Sequence, residues 1–272
     1  MNESTQTLSP SVLTEDGPAG LAVEDLTIRY GGNIAVSGLS LTAPLGRVTG
    51  LIGPNGAGKT TTFNACSGLL RPSEGRVHLF GADVTTLAPP ARARLGLGRT
   101  FQRMELFDSL TVSQNVRLGR EAAMAGRNPL RQLISTAADR RAIAEAVDEA
   151  IELCAIGDLA GLRAGSLSTG QRRLVELARA LAGNFRFFLL DEPSSGLDKA
   201  ETAAFGTILR RVVEERGSGI LLVEHDMDLV MRVCDYIYVL DFGQPIFDGT
   251  PVEVRRSPVV RAAYLGSEAT DV

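Results

Sequence analysis

Short runs of apolar residues alternate along the chain with longer segments in which apolar residues recur every three or four positions. The runs Val48–Ile52, Phe187–Leu190, Gly219–Glu224 and Tyr236–Leu240 are typical of parallel strands buried on both faces of a sheet. The segments between them, such as residues 198–213, have the period of an amphipathic helix. This alternation predicts an α/β fold built around a parallel core sheet.

The middle of the chain departs from this alternation. The segment Asp139–Ala155 places Ile151 and Cys154 on one helical face with acidic residues between them, and residues 111–124 are also expected to be helical. Because these helices interrupt the alternating core, the pattern predicts a helical insertion. Residues 1–19, which are rich in Ser, Thr, Pro and Gly, are expected to form a flexible tail.

Composition narrows the class of protein. The chain has 272 residues, of which 44% are apolar and 22% charged, so it can bury a full core. Its net charge of −4 lacks the basic surplus that binds nucleic acid, and we expect no nucleic-acid partner. No apolar run approaches the roughly 18 residues that span a bilayer, and no secretory signal is visible, which favours a cytoplasmic location. The three cysteines lack CxxC spacing and are expected to be small buried hydrophobic residues.

A glycine-rich turn between a strand and a helix carries the clearest chemistry. Residues 53–60 read Gly-Pro-Asn-Gly-Ala-Gly-Lys-Thr, which matches the phosphate-binding pattern GxxxxGK[ST] in its strand–turn–helix context. Glycines let backbone N–H groups point inward around an anion, and the following helix adds a partial positive charge. Lys59, one of only two lysines, is expected to reach the β- and γ-phosphates of ATP, and the Thr60 hydroxyl to ligate Mg²⁺. The predicted nucleotide-binding residues of this turn are Gly53, Asn55, Gly56, Gly58, Lys59, Thr60 and Thr61.

An acidic pair ends another predicted strand. Asp191 and Glu192 follow the apolar run Phe187–Leu190, and the carboxyl end of a parallel strand lies beside the phosphates in folds of this class. Asp191 is therefore predicted to hold Mg²⁺, directly or through water, and Glu192 to polarise the water that attacks the γ-phosphate. The simpler alternative is an ordinary acidic turn after a buried strand.

Five further features occur in a fixed order around these two motifs. In chain order they are Tyr30 at the end of the first strand, Gln102 after Arg99-Thr100-Phe101, Leu167-Ser168-Thr169-Gly170-Gln171 before a helix, Ser195-Gly196-Leu197-Asp198 after the acidic pair, and His225 after a strand. In this combination the chain resembles the nucleotide-binding subunit of an ABC transporter over about residues 21–265. The family signature usually reads LSGGQ, so Thr169 is a departure that fits only if its φ is negative.

The resemblance implies a role for each of these residues. Tyr30 would stack on adenine, and Gln102 would contact Mg²⁺ or water and sense the membrane partner. The signature residues Ser168, Gly170 and Gln171 would contact ATP held by a second subunit, with Asp198 nearby, and His225 would hydrogen-bond the γ-phosphate. Simpler alternatives are a plain strand end for Tyr30, helix capping for Ser168, Gln171 and Asp198, and a core position for His225.

The resemblance also implies an architecture and partners. It predicts a P-loop NTPase with a parallel core sheet, an N-terminal antiparallel β part and an inserted helical subdomain. The expected divisions are a nucleotide-binding core of residues 20–101 and 169–241, a helical and signature subdomain of residues 102–168, and a C-terminal extension of residues 242–272. The implied partners are a second ATP-binding subunit, identical or different, and transmembrane permease subunits, at the cytoplasmic face of the cell membrane.

The C-terminal half is similar to the first ATPase subunit of branched-chain amino-acid importers. The matching stretches are residues 222–227, 239–243 and 262–266. The similarity implies import of branched-chain amino acids, while a urea or amide importer and a lipid exporter stay open as alternatives. In the segment after Gln102, the apolar Met104, Leu106 and Phe107 are expected either to line a groove for a helix of the membrane partner or to pack within the insertion.

Overall fold

The computed structural model describes residues 20–100, 106–125 and 136–268, so Gln102 and Met104 lie outside the described residues. The strands are β1 (Gly20–Tyr30), β2 (Asn33–Pro44), β3 (Val48–Ile52), β4 (Glu74–Leu79), β5 (Ala82–Asp83), β6 (Leu97–Arg99), β7 (Phe187–Asp191), β8 (Gly219–Val223), β9 (Tyr236–Asp241) and β10 (Gln244–Gly249). The helices are α1 (Lys59–Ser67), α2 (Pro89–Leu95), α3 (Val112–Ala125), α4 (Ala137–Leu153), α5 (Thr169–Ala182), α6 (Lys199–Arg216), α7 (Met227–Val233), α8 (Pro251–Arg256) and α9 (Pro258–Glu268).

The strands form two sheets. An antiparallel sheet has the strand order β2-β1-β4-β5, and a main sheet has the order β10-β9-β3-β8-β7-β6. In the main sheet β6, β7, β8, β3 and β9 are parallel, and only β10 pairs antiparallel, with β9. The predicted parallel core and N-terminal antiparallel part are both confirmed. Because the parallel strands share one direction, the loops that follow β3, β7, β8 and β9 meet at one edge.

Successive residues of the central strands enter two different hydrophobic cores. In β7, Phe187 and Leu189 join a core shared with the antiparallel sheet, whereas Phe188 and Leu190 join a core shared with the helices. Every residue of β3, β7 and β8 is buried. Side chains on both faces of these strands are covered, which explains why the sequence shows continuous apolar runs instead of alternation.

The helices of the insertion follow the predicted segments with small shifts at their ends. Helices α3, α4 and α5 pack against one another. Helix α4 begins two residues earlier than predicted because Thr136 and Asp139 form a capping box at its start.

Helix α1 of the core ends at Ser67, before the predicted Leu69, because Gly68 adopts the left-handed conformation with φ of 82°.

Two predictions drawn from composition can be compared with the structure. Cys66, Cys154 and Cys234 are buried and free, and burial raises the pKa of Cys66 and of Cys154 to about 12. These thiols are therefore neutral and act as small apolar side chains, as predicted. Within residues 20–100, 106–125 and 136–268, none of the helices has the length and apolarity needed to cross a membrane.

Candidate active site

A pocket of about 340 Å³ lies at the edge where the parallel strands end. Residues 55–61 of the glycine-rich turn form one side, and Glu192 and His225 line the same pocket. Three segments that are far apart in sequence therefore meet here because β3, β7 and β8 are neighbours in the main sheet. The pocket includes eight of the predicted site residues, which are Asn55, Gly56, Gly58, Lys59, Thr60, Thr61, Glu192 and His225.

Two glycines of the turn are required by its geometry. Gly58 has φ of 97°, and a Cβ at that position would lie 2.7 Å from the carbonyl oxygen of Ala35. Gly53 also has a positive φ, and a Cβ there would overlap the carbonyl oxygen of Leu240. Side chains at either position would force the turn away from its neighbours, so the close curl of the backbone depends on glycine.

Helix α1 begins at this turn without a side-chain cap. Gly58 occupies the N-cap position, and the first turn contains no acidic residue. By contrast, α4, α5, α6, α7 and α8 each begin with a Ser, Thr or Asp side chain that accepts a backbone N–H. The uncapped N–H groups of α1, together with the helix dipole, form a site for an anionic group such as phosphate.

Lys59 is held inside the turn. Its Nζ donates hydrogen bonds to the carbonyl oxygens of Gly53 at 2.7 Å and Pro54 at 2.9 Å. Burial lowers the pKa of Lys59, while the carboxylates of Glu192 and Asp191 act to raise it. The ammonium group is thus fixed beside the uncapped helix start, where it adds positive charge to the anion site.

Asp191 ends β7 with its carboxylate almost fully buried. Its Oδ2 lies 3.8 Å from Nη2 of Arg99, and its Oδ1 has no hydrogen-bond partner among the described residues. Burial raises the pKa of Asp191, and the Arg99 guanidinium opposes that rise. A buried carboxylate oxygen that lacks a donor suits a hard cation, and with the Thr60 hydroxyl these donors fit Mg²⁺.

The described part of the chain contains no group of three or more His, Cys, Asp or Glu side chains that could hold a metal ion. Mg²⁺ at Asp191 and Thr60 would therefore need phosphate oxygens and water to complete its coordination, which is how Mg²⁺ commonly binds beside nucleotides.

Glu192 and His225 are in direct contact across the pocket. The Glu192 Oε1 and the His225 Nε2 are 2.6 Å apart. Glu192 has φ of 47°, which is unusual for a residue other than glycine, and its N–H donates to the carbonyl oxygen of Val223 at 2.8 Å. This hydrogen bond to the end of β8 thus helps to hold the Glu192 backbone in its strained conformation, and such strain is common at functional sites.

The signature residues lie outside this pocket. Ser168 and Gln171 form a complete capping box at the start of α5, and Asp198 caps α6, so the simpler interpretation of each is also correct. Ser168 and Thr169 are exposed, and Thr169, the first residue of α5, has the expected negative φ. A Cβ on Gly170 would lie 2.3 Å from the Glu201 carboxylate, so a side chain at position 170 would have to displace the Glu201 side chain from the start of α6.

The lining of the pocket differs from the prediction at Tyr30 and includes residues that were not predicted. Tyr30 is 53% exposed at the end of β1 and does not line the pocket, and Gln102 falls outside the described residues. Ile34, Ala35 and Phe242 line the pocket although sequence reasoning gave them no role. Phe242 is 88% exposed with φ of 43°, and the only sequence signal for it was an aromatic residue directly before Gly243.

The buried carboxylate of Glu224 was also missed. It accepts backbone N–H groups from the loops after β7 and β8, which carry Glu192 and His225. An acidic residue that ends an apolar strand was the available signal, and the same signal did identify Asp191.

A parallel sheet, a glycine-rich turn leading to an uncapped helix, a buried lysine and a strand-end carboxylate define a P-loop nucleoside triphosphatase. The comparison with protein families then specifies the class further. The model described as "ABC transporter" matches residues 36–195, more than half of the chain, and the model described as "Branched-chain amino acid ATP-binding cassette transporter" matches residues 244–270. The chain belongs to the ABC transporter family, as one of its ATP-binding and ATP-hydrolysing subunits.

Relatives match along nearly their whole length. The chain is 39% identical over 249 residues to the high-affinity branched-chain amino acid transport ATP-binding protein BraF of Pseudomonas aeruginosa, covering 90% of this chain and 97% of that protein. It is 38% identical to LivG of Salmonella typhimurium, a protein of the same description, with the same coverage. It is 36% identical over 248 residues to the lipopolysaccharide export system ATP-binding protein LptB of Acidithiobacillus ferridurans, covering 91% of this chain and 97% of that protein.

Solved structures share the fold. The ADP conformation of an ATP-binding cassette of an ABC transporter superposes with a TM-score of 0.79 at 31% identity, covering 90% of this chain and 98% of that one. A second structure, cbiO1 from Clostridium perfringens, has a TM-score of 0.77 at 29% identity and covers 94% of this chain and 100% of that one. The predicted fold class is confirmed.

Proposed function

We propose that this ATPase subunit powers the import of branched-chain amino acids from the cytoplasmic face of the cell membrane. The match of residues 244–270 and the identity to BraF and LivG support this cargo. The contact between Glu192 and His225 at the rim of the phosphate pocket is the structural observation that carries the hydrolytic role.

The proposed roles combine the geometry of the pocket with what the family resemblance implies. The N–H groups at the start of α1 and the Lys59 ammonium bind the β- and γ-phosphates of ATP. Asp191 and Thr60 would hold Mg²⁺, which would neutralise and orient the phosphate oxygens. Glu192 polarises water for attack at γ-phosphorus and accepts its proton while the bond to ADP breaks, and His225 hydrogen-bonds the γ-phosphate.

Glu192→Gln tests the hydrolytic assignment. The amide keeps the size of the side chain but cannot accept a proton, so ATP binding should persist while turnover falls at least about 100-fold. A fluorescent ATP analogue measures binding, and release of phosphate measures turnover. Glu215→Gln is the control, because Glu215 is an exposed carboxylate paired with Arg211 on α6. Substantial turnover in Glu192→Gln would remove Glu192 from its proposed role.

We further propose that a second ATP-binding subunit completes the site. Ser168 and Thr169 are exposed and do not line the phosphate pocket of their own chain. Because these signature residues do not line the pocket of their own chain, they are free to contact a nucleotide bound in the pocket of another subunit. Tyr30 and Gln102 keep their predicted roles, contact with adenine and contact with Mg²⁺ or water, as part of this proposal.

A groove beside the insertion is the proposed docking site of the permease. It has a volume of about 610 Å³ and a mainly apolar lining from α2, α3 and α5, with Phe107 at its edge. Phe107 and Leu69, which also lines the groove, are each 56% exposed. Leu106 packs against the helical core instead, so the two expected residues face different surroundings.

Phe107→Glu tests this groove. A charge on an exposed edge should leave Tm and ATP binding nearly unchanged and weaken co-purification with the permease about tenfold or more. Val259→Glu is a control, because Val259 is also an exposed apolar residue but lines neither the groove nor the phosphate pocket. Retention of the permease by Phe107→Glu would exclude Phe107 from the interface.

Lipid export is the second candidate function, because the identity to LptB is within a few percentage points of that to LivG. Uptake of labelled leucine by cells that produce the complete transporter decides between them. If this subunit powers import, leucine uptake should be lost in cells that carry Glu192→Gln. If it powers export, leucine uptake should not depend on this chain.

A further inference from the structure

Glu224 is a buried carboxylate at the point where β8 ends. It is 2% exposed and forms no salt bridge with any residue of the described ranges. A buried carboxylate without a cation is costly unless hydrogen bonds replace its water. The partners of Glu224 therefore identify what stabilises it.

Among the described residues, all of its hydrogen bonds come from the backbone of two loops. Oε1 accepts the N–H of Ser194 at 2.8 Å, and Oε2 accepts the N–H of His225 at 3.0 Å and, at 3.4 Å, that of Asp226. Ser194 belongs to the loop after β7, two residues beyond Glu192. The one side chain thus binds both loops that carry the contact between Glu192 and His225.

We infer that Glu224 is a positioning residue, whose carboxylate fixes the spacing between these loops so that the Glu192 and His225 side chains meet in the pocket. The inference rests on the roles proposed above for Glu192 and His225. The hydrogen bond from the Glu192 N–H to the Val223 carbonyl oxygen attaches the loop after β7 to the end of β8 at one point. The Glu224 carboxylate adds the second point, at Ser194, and two points fix the direction of the loop.

A carboxylate is required because both of its ends act as acceptors. A glutamine has the same shape, but its NH₂ group would face a backbone N–H, and two donors repel. Glu224→Gln therefore breaks the bond to Ser194 or the bonds to His225 and Asp226, with little change in volume.

The experiment compares Glu224→Gln with Asp235→Asn. Asp235 accepts the N–H of Val48 at 2.8 Å and pairs with Arg210 at 2.9 Å, at the opposite edge of the main sheet. Asp235→Asn therefore controls for the loss of a hydrogen-bonded carboxylate away from the site. The chain has only two histidines, and the NMR signals of their Cε1–H groups can be assigned with a His78→Gln variant. Measured at fixed pH, these signals report the surroundings of His225 directly.

For Glu224→Gln we expect turnover to fall about tenfold or more with nucleotide affinity within about threefold, since positioning affects the reaction more than binding. The His225 signal should shift or broaden while that of His78 stays unchanged. Asp235→Asn should keep the His225 signal and turnover within about twofold, even if its Tm falls.

A folded Glu224→Gln with an unchanged His225 signal, or with a changed signal but normal turnover, overturns the inference. If Glu224→Gln does not fold, Glu224→Asp is measured instead: it keeps both acceptors but is one methylene shorter, and the same change in signal and turnover is expected. Failure of the proposed function looks different, because Glu192→Gln would then hydrolyse ATP normally whatever the Glu224 variants do.

Discussion

Asp191 shows at the scale of one residue how function and stability oppose each other. Burial disfavours its charge strongly enough to raise its pKa despite the nearby Arg99. Asp191→Asn removes the charge and keeps the shape, so we expect Tm of the nucleotide-free protein to rise by about 1–3 °C. Mg²⁺-dependent turnover should be lost. Thermal unfolding with and without Mg²⁺–ATP measures both effects.

The same residue predicts a pH dependence. Because the folded-state pKa of Asp191 is raised, the cost of its charge is full above that pKa and disappears as the pH falls below it. The Tm advantage of Asp191→Asn should therefore be largest near neutral pH and shrink on acidification, beginning above the usual titration range of aspartate. An advantage that stayed constant with pH would contradict the assigned cause.

How far a residue could be predicted from the sequence depended on where its partners are. Lys59 and Thr60 were predictable because their partners are a few positions away, in a turn whose spacing is itself the signal. Glu224 was not predictable, since the N–H group of Ser194 that its carboxylate accepts comes within reach only once β7 and β8 lie side by side. Phe242 was missed for the same reason: it lines the pocket only because β9 is next to β3.

At the scale of the element, Ser168 combines a local and a proposed intermolecular role. As N-cap of α5 its side chain accepts the Gln171 N–H at 3.2 Å. Ser168→Ala should lower stability by about 1 kcal/mol. Ser168→Asp should preserve the cap, because aspartate is an equally good N-cap, yet abolish turnover by placing a negative charge against phosphate. Chemical denaturation and phosphate release separate the two roles.

Thr136 provides a matched control for this element. It caps α4 with the same kind of capping box, with Asp139 in place of Gln171. Thr136→Ala should lower stability by a similar ~1 kcal/mol without changing turnover. If Ser168→Asp hydrolysed ATP at the normal rate, Ser168 would be only a helix cap.

Helix ends were predictable wherever a cap could be identified. The start of α6 follows Asp198, which caps it as the sequence indicated, and Asp226 caps α7 in a similar way. Thr136 and Asp139 have the spacing of a capping box, and reading that signal would have corrected the start of α4. Short strands such as β5 and β6 lack any comparable signal, because two or three residues are too few to show a period.

At the scale of the whole molecule, the phosphate pocket and the signature segment are two separate surfaces of one chain. The pocket contains the groups that bind phosphate and activate water, but Ser168 and Gly170 do not line it. A chain with both surfaces can complete two sites by pairing with a second copy, since a two-fold axis brings each surface to the other chain. The spacing of residues within one chain does not reveal such pairing, and the expectation of a second subunit came from the family resemblance.

Mixing two inactive variants tests the composite site. Lys59→Ala damages the pocket and Ser168→Asp damages the signature, so each variant alone should be inactive. In a mixed pair one site has both defects and the other has neither. If pairing is random and sites act independently, equal mixing should restore roughly a quarter of the wild-type activity, because half of the pairs are mixed and each has one intact site of two.

The control is a mixture of Lys59→Ala with Glu192→Gln, two defects on the same surface. No mixed pair of these variants contains an intact site, so its activity should remain at the level of the separate proteins. Recovery in this control would show that a mixture gains activity without an intact site, so recovery in the first mixture could not be assigned to complementation. If neither mixture recovers although each variant binds the wild-type chain, two copies of this chain do not share their sites, and its signature must act on a different subunit.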